Sequence, residues 1–267
     1  LLDMLLILKL GWGIEGAAIA SAVARMAVTA IGLYGVIWVH DLMSRPKLAT
    51  LAADVRPYMK IAIPAMLTNI ATPVGNAYVT AAMAPFGDGA VAGWAIVGRV
   101  TPVAFGAIYA LSGIVGPIIG QNMGARRTDR MRGTLTQSLF VMAAFTAAAW
   151  LVLALTANGL ASAFNATGEA RELIIFFCRW LSPLFVFLGA MFVANAAFNT
   201  LGQPHYSTLL NWGRATLGTV PFVLAGAHLA GAKGALAGNM AGGIIFGVLS
   251  VILAYRLVDR IGGRITT

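Results

Sequence analysis

Asn69, Thr72, Asn76 and Thr80 stand at steps of three, four and four in an otherwise apolar run. Such steps put four side chains on one face of a helix. Their amides and hydroxyls can hydrogen-bond a solute or a neighbouring helix, and the spacing leaves both readings open. Polar groups facing lipid are costly, so the face looks into protein or into a water-filled cavity. Pro64 and Pro73 lie in the same run, and each frees a backbone carbonyl and permits a kink. A polar face on a kinked helix suits a gated solute path. Asn195 and Asn199 form a second polar pair at i, i+4, open to the same two readings.

Charged residues extend the list. Arg25, Arg99, Arg179 and Arg214 lie within or near apolar runs. A charge inside a membrane costs about 2.5 kcal/mol or more on insertion scales, so it normally faces the interior or snorkels. Structural pairing is the first expectation for each. Arg99 shares a face with Pro102, Gly106 and Tyr109, where it also suits a gate or a brake on cation leakage. Arg179 stands near the outer end of its helix, and Arg214 is near enough to the cytoplasm to reach it. Asp41, Asp54, Asp88, Asp129, Glu169, Glu172 and Asp259 all fall in loops or at helix ends. Asp3 is the nearest candidate for a buried acid. His40, His205 and His228 are scattered, and Cys178 has neither a nearby base nor a metal-ligand spacing around it. With no carboxylate pair or phosphate loop, we expect no catalytic residue, no metal site and no cofactor.

The elements that position these residues follow from composition. Hydrophobic residues make up 59% of the chain and charged residues 10%, and the mean hydropathy is +0.84. Soluble domains carry about 25% charged residues, so the expected solvent is the lipid bilayer. The chain opens at Leu1 inside an apolar run and reads as a fragment of a longer protein. Residues 1–10 read as the tail of one membrane helix. Complete spans are predicted over 15–39, 61–86, 90–119, 133–160, 173–200, 206–230 and about 235–255. That is an all-α polytopic membrane protein with seven complete transmembrane helices and a partial one. The polar stretch 41–60 links two bundles, and part of it suits a surface helix.

Basic residues orient the chain. Residues 120–132 read GQNMGARRTDRMR, and Arg126, Arg127, Arg130 and Arg132 face only Asp129. Positive loops resist translocation, so this turn is expected in the cytoplasm. Alternation then puts the 40–60 loop, the 202–204 turn and the tail with Arg256, Arg260 and Arg264 on the same side. The opposite side holds only Lys9, Arg171 and Lys233. This asymmetry accounts for the net charge of +9 without nucleic acid as a partner. Gly13–x–x–Gly16–Ala17 returns as Gly231–x–x–Gly234–Ala235, each opening a span that ends on the cytoplasmic side. The separation fits six helices, as in transporters built from parallel repeats. Small residues also recur in any tightly packed membrane helix.

Several stretches resemble the multidrug and toxic compound extrusion (MATE) family. They are Gly16-Ala17-Ala18-Ile19-Ala20-Ser21, the run from Pro117 through Gly120-Gln121-Asn122-Met123-Gly124-Ala125, and Asn199-Thr200-Leu201-Gly202-Gln203-Pro204. Asn211, Arg214 and Pro221 add to them. The resemblance covers the whole chain, and the 120–125 run is its most specific part. It implies a twelve-helix, two-lobe transporter around a central cavity. Residues 1–40 would end the first lobe, 41–60 would be the cytoplasmic inter-lobe loop, and 61–267 would be the six-helix second lobe with its tail.

The function so implied is a secondary active antiporter in the inner (plasma) membrane. It would export small organic, cationic drugs or toxic metabolites in exchange for protons or sodium ions, as a monomer. One branch of the family carries acids in its second lobe. This chain has Thr72 near where such an acid is expected, so the coupling carboxylate should lie in the first lobe. The substrate-path candidates are Asn69, Thr72, Asn76, Thr80, Arg99, Tyr109, Arg179, Asn195 and Asn199. A lipid-linked saccharide flippase of the same broad superfamily is the nearest alternative, with Arg25, Arg99 and Arg179 as its support. A non-transporting membrane scaffold is the third.

Overall fold

The computed structural model describes residues 2, 4–43 and 48–266. Asp3, Arg45 and Lys47 lie outside these, and with them the expectation that Asp3 assists ion coupling. The fold is all-helical and divides into two compact units, Leu1–Pro57 and Tyr58–Thr267.

In the first unit a π-helical turn, Met4–Lys9, precedes α1, Gly13–Tyr34, which runs on through a second π-helical turn, Gly35–Val39. Gly13 has a φ of +52°, and Gly231, its counterpart in the repeat, has +59°. Both repeat motifs therefore open with a left-handed glycine, a conformation that other residues adopt at a cost. A Cβ on Gly16 would stand 3.0 Å from the Cβ of Trp12 and 3.2 Å from that of Leu6, so the small residue permits the close turn. Helix α2, Leu48–Met83, starts earlier than expected, so the 41–60 link is helical from Leu48. It also runs unbroken through Pro64 and Pro73, where an interruption was expected.

The second unit continues from α2 through a short 3₁₀ turn, Ala84–Phe86, into α3, Asp88–Ala104, and α4, Gly106–Gly124. The single span expected over 90–119 is in fact broken. Pro102 leaves the Gly98 carbonyl without its helix donor. Phe105 departs to φ −110°, ψ 17°, and the axis bends by 50°. Phe105 is fully buried and stacks on Phe185 at 4.0 Å, which holds the bend. Helix α5, Thr128–Ala163, follows the arginine-rich turn.

The next span is built from pieces. Helix α6, Gly168–Phe176, passes through a π turn, Phe177–Leu181, and a 3₁₀ turn, Ser182–Leu184, into α7, Phe185–Thr200. Pro183 cannot donate to the carbonyl of Arg179. Trp150 of α5 does so instead, through its indole Nε1–H at 2.9 Å, and the Ser182 hydroxyl donates to the Cys178 carbonyl at 2.8 Å. A freed carbonyl in a membrane helix must find such a partner.

Helix α8, Pro204–Ala215, unwinds over 216–219 before α9, Val220–Thr266. Pro221 sits at the second position of α9, where its missing N–H is harmless. The Thr219 hydroxyl donates to the Arg214 carbonyl at 2.9 Å and closes the unwound turn. Helix α9 itself folds back at Ala230 (φ −146°, ψ 28°) and Gly231. Its two arms are packed backbone to backbone. A Cβ on Gly226 would collide with Gly234, one on Gly238 with the Phe222 carbonyl, and one on Gly242 with the Gly218 carbonyl. Small residues at facing positions allow this approach, which takes the place of hydrophobic driving force between membrane helices.

Among the described residues four helices are long and apolar enough to cross a membrane, or five with the bent α3–α4 pair. The expected count of seven differs for two reasons. The stretch Pro204–Gly262 meets the length test as one piece of 59 residues although it turns back at Gly231. Helix α2 carries Asn69, Thr72, Asn76 and Thr80 along its length and is too polar for the test.

Contacts between turns sort the helix ends into two sides. A Cβ on Gly231 would touch Phe86, one on Gly89 would touch Glu169, and Lys233 pairs with Glu172 at 2.7 Å. On the other side Arg132 pairs with Asp259 at 2.8 Å, and Gly262 abuts Thr128. For these turns the sides agree with the alternation expected from the charges. The second unit is centred on α7, which packs against α4, α5, α8 and α9. One apolar cluster, with Leu173, Phe177 and Leu236, fills the half nearer the 231 turn. A second, with Met131, Phe198 and Leu257, fills the half nearer the arginine turn. Large apolar side chains such as Leu155 and Leu229 stay exposed, at 78% and 86%, as expected for a lipid-facing exterior.

Candidate functional site

Four contacts run in step along α2 and α8. The Thr208 hydroxyl donates to the Pro64 carbonyl at 2.9 Å, and Trp212 Nε1 donates to the Leu67 carbonyl at 2.9 Å. Arg214 Nη2 donates to the Thr72 hydroxyl at 3.2 Å, and Gly75 lies against Ala215, where a Cβ would stand 3.3 Å from its methyl. Both numbers rise together, so the two helices lie parallel and enter from the same side. Their seam is one wall of a cavity of about 690 Å³, within the range of ligand pockets.

Six asparagines line this cavity, namely Asn69, Asn76, Asn195, Asn199, Asn211 and Asn239, with Thr72 and Arg214 between them. Tyr109 of α4 and Phe185 and Phe192 of α7 give it an aromatic side. Tyr109 packs on Phe192 at 5.0 Å and meets Phe185 edge-on at 6.3 Å. Apolar area with a few fixed polar groups is the usual composition of an organic-ligand site.

The polar groups differ in how they are occupied. Asn69 Nδ2 donates back to the Ala65 carbonyl at 2.9 Å, a local bond common for such residues inside helices. Asn199 accepts from the Ser207 hydroxyl at 3.2 Å, and Asn211 Nδ2 donates to the Ser207 carbonyl at 2.8 Å. Two buried side-chain atoms of the lining have no partner among the described residues, Asn195 Oδ1 and Arg214 Nε. An unpaired buried polar atom costs about 1–3 kcal/mol, so both are poised to accept a partner.

Of the residues singled out from the sequence, Asn69, Thr72, Asn76, Tyr109, Asn195 and Asn199 line the cavity. Thr80 does not. Its hydroxyl accepts from Trp94 Nε1 at 3.0 Å and so fixes the indole that does. Arg99 and Arg179 are exposed and outside the lining, to which α3 presents Trp94, Val97, Gly98 and Thr101 instead, and the π turn presents Phe177. Arg214 is the main correction. It was expected to pair within the protein or to reach the cytoplasm and was not among the lining candidates, yet α8 starts at Pro204, and ten residues at about 1.5 Å each carry Arg214 about 15 Å along the helix. There it turns to Thr72. A signal for it exists in the sequence, since Ser207, Asn211 and Arg214 stand at steps of four and three.

Comparison with known proteins places this geometry. The MatE family model matches residues 64–224. The chain is 36% identical over 225 residues to an uncharacterized 21 kDa protein of Pseudomonas savastanoi, covering 84% of this chain and 74% of that protein. It is 28% identical to an FAD transporter of Shewanella oneidensis, over 98% of this chain and 59% of that protein. It is 23% identical to the multidrug export protein MepA of Staphylococcus haemolyticus, over 98% and 58%. The crystal structure of the Vibrio cholerae MATE transporter VcmN in the bent form superposes with a TM-score of 0.83 at 26% identity, covering 99% of this chain and 60% of that one. The chain thus spans about 60% of the length of the solved structures and of the two named relatives it matches. With an all-helical fold, membrane-length helices and the MatE match over most of its length, this multi-pass membrane chain belongs to the MATE family, a family of transporters and not of enzymes.

Proposed function

We propose that this chain is the end of the first lobe and the whole second lobe of a secondary active antiporter. In this reading it exports small organic molecules across the inner (plasma) membrane in exchange for protons or sodium ions. The observation that carries it is the 690 Å³ cavity, walled by the polar face of α2 and by α4, α7 and α8. A cavity of that size lined by amides and rings binds organic solutes with modest selectivity, as export requires. The relatives named an FAD transporter and a multidrug export protein agree with an organic cargo. Seven spans, with the arginine turn and the C-terminal tail in the cytoplasm, follow from counting α2 and both arms of α9 as passes.

Every acid among the described residues lies in a loop or near a helix end, and none lines the cavity. Coupling needs a carboxylate whose two charge states favour different conformations, and that requires partial burial. We therefore assign the coupling acid to the part of the protein that precedes this chain. Two of the three arginines that favour the flippase alternative, Arg99 and Arg179, lie off the cavity. The test is counterflow in proteoliposomes of the full-length protein, loaded with riboflavin 5′-phosphate or ethidium and driven by an imposed proton or sodium gradient. Uptake that follows the gradient supports the antiporter, and no gradient-dependent flux of either compound overturns it.

A further inference from the structure

Arg214 is the only charged residue that lines the cavity among those described, and no Asp or Glu accompanies it. A lining of that kind repels cations and attracts anions. The guanidinium has five N–H donors and no acceptor. It spends one of them on a neutral partner, the Thr72 hydroxyl, at 3.2 Å. Its Nε is buried with no partner among the described residues. A charge held about 15 Å along a membrane helix, with a hydroxyl as its side-chain partner among the described residues, is an expensive feature to keep. It becomes favourable once an anion meets it, since a guanidinium and a carboxylate or phosphate form charge-assisted, often bidentate hydrogen bonds.

The surroundings hold the group ready. The unwound turn at 216–219 begins directly after α8, and the Thr219 hydroxyl fixes the Arg214 carbonyl at 2.9 Å. Thr72 holds the tip of the side chain from α2. Asn195 Oδ1 is a buried acceptor without a donor among the described residues, so it complements an N–H or O–H on a ligand. Tyr109 and Phe192 offer ring faces for a planar body. We propose that Arg214 anchors an anionic group, a phosphate or carboxylate, on the organic cargo of this cavity, so that the lobe selects organic anions over the cationic compounds expected from the sequence. This rests on the transport reading above only in calling the ligand cargo.

The test is equilibrium binding to the purified full-length protein in detergent, with three probes. Riboflavin 5′-phosphate and riboflavin share a ring system and differ by one phosphate, and ethidium is a planar cation. We expect the phosphorylated flavin to bind about tenfold to a hundredfold more tightly than riboflavin, the span given by one charged hydrogen-bonding site. Ethidium should bind most weakly. Arg214→Gln should bring the phosphorylated flavin down to the riboflavin value, and Arg214→Lys should keep part of the difference. If the glutamine variant does not insert, the ratio in the unmodified protein still decides. A ratio near one, or a preference for ethidium, overturns the proposal, as would an Arg214 already neutralised by a carboxylate elsewhere in the full-length protein. A ratio that survives Arg214→Gln also overturns it. Undecaprenyl phosphate, added as competitor, separates a lipid headgroup from soluble cargo. We expect no displacement, and displacement at lower concentration than free riboflavin 5′-phosphate overturns soluble cargo as the source of the anion. Counterflow of ethidium with a binding ratio near one would overturn this inference and leave the transport reading. Tight phosphate-dependent binding without any flux would do the reverse.

Discussion

Thr72 faces two demands, for it takes the Arg214 hydrogen bond and stands in the cavity lining beside Asn76. Thr72→Val keeps the shape of the side chain and removes that hydrogen bond. Asn76→Leu keeps the volume and removes an amide. If the α2 face contacts cargo, each should lower counterflow by roughly tenfold, the worth of one buried hydrogen bond. Membrane insertion should stay at the unmodified level, because neither side chain is buried against other helices. Counterflow at the unmodified rate with matched insertion would return this face to helix packing. The face itself was legible in the sequence, because a three- and four-residue step needs no tertiary information. Arg214 was not, because its place in the cavity depends on α2 passing close enough to offer Thr72.

The hairpin within α9 has its own test at the level of elements. Gly238 and Gly243 are both helical, yet a Cβ on Gly238 would meet the Phe222 carbonyl while one on Gly243 would meet nothing within 4 Å. Helix propensity alone favours alanine over glycine by about 1 kcal/mol at either site. Overpacking at a closed contact costs about 1–3 kcal/mol or more. Thermal unfolding in detergent should therefore show Gly238→Ala destabilised and Gly243→Ala unchanged or slightly stabilised. Equal effects at the two sites would mean that the arms can separate without cost. The G-x-x-G spacing is visible in the sequence, whereas the facing partners 226 with 234 and 222 with 238 appear only once the chain folds back at Gly231.

On the scale of the whole molecule, contacts between turns fix the two sides of the second unit, and the topology proposed above orients them by the positive-inside rule. With Cys178 replaced by alanine, a cysteine at position 167 should be labelled only from outside, and one at position 130 only from the cytoplasm. Both sites lie at exposed or partly exposed helix ends on opposite sides. Labelling at 167 only from the cytoplasm would invert the proposed topology. Coupling is a second question at this scale. Neutralising Asp88 or Glu169, as Asp88→Asn and Glu169→Gln in the full-length protein, should leave ion-driven transport within about twofold of the unmodified rate, since neither lines the cavity. Loss of gradient-driven flux on either change, with upstream acids dispensable, would move the coupling site into this lobe.

The sequence alone determined the solvent and the all-α class. Those follow from hydropathy and charge along the chain, which are local quantities. It also determined the polar face of α2, since helical periodicity is local too. Only the tertiary structure decided where the prolines act. Pro102 and Pro183 disrupt regular helix because Phe185 and Trp150 stand ready to hold the deviation, whereas Pro64 and Pro73 leave α2 unbroken. It decided likewise which arginine enters the cavity. Arg99 and Arg179 looked as well placed as Arg214 by position in a span, but a side chain's exposure depends on the bend of its own helix and on what packs beside it. That is a property of several helices at once, which no single stretch of sequence encodes.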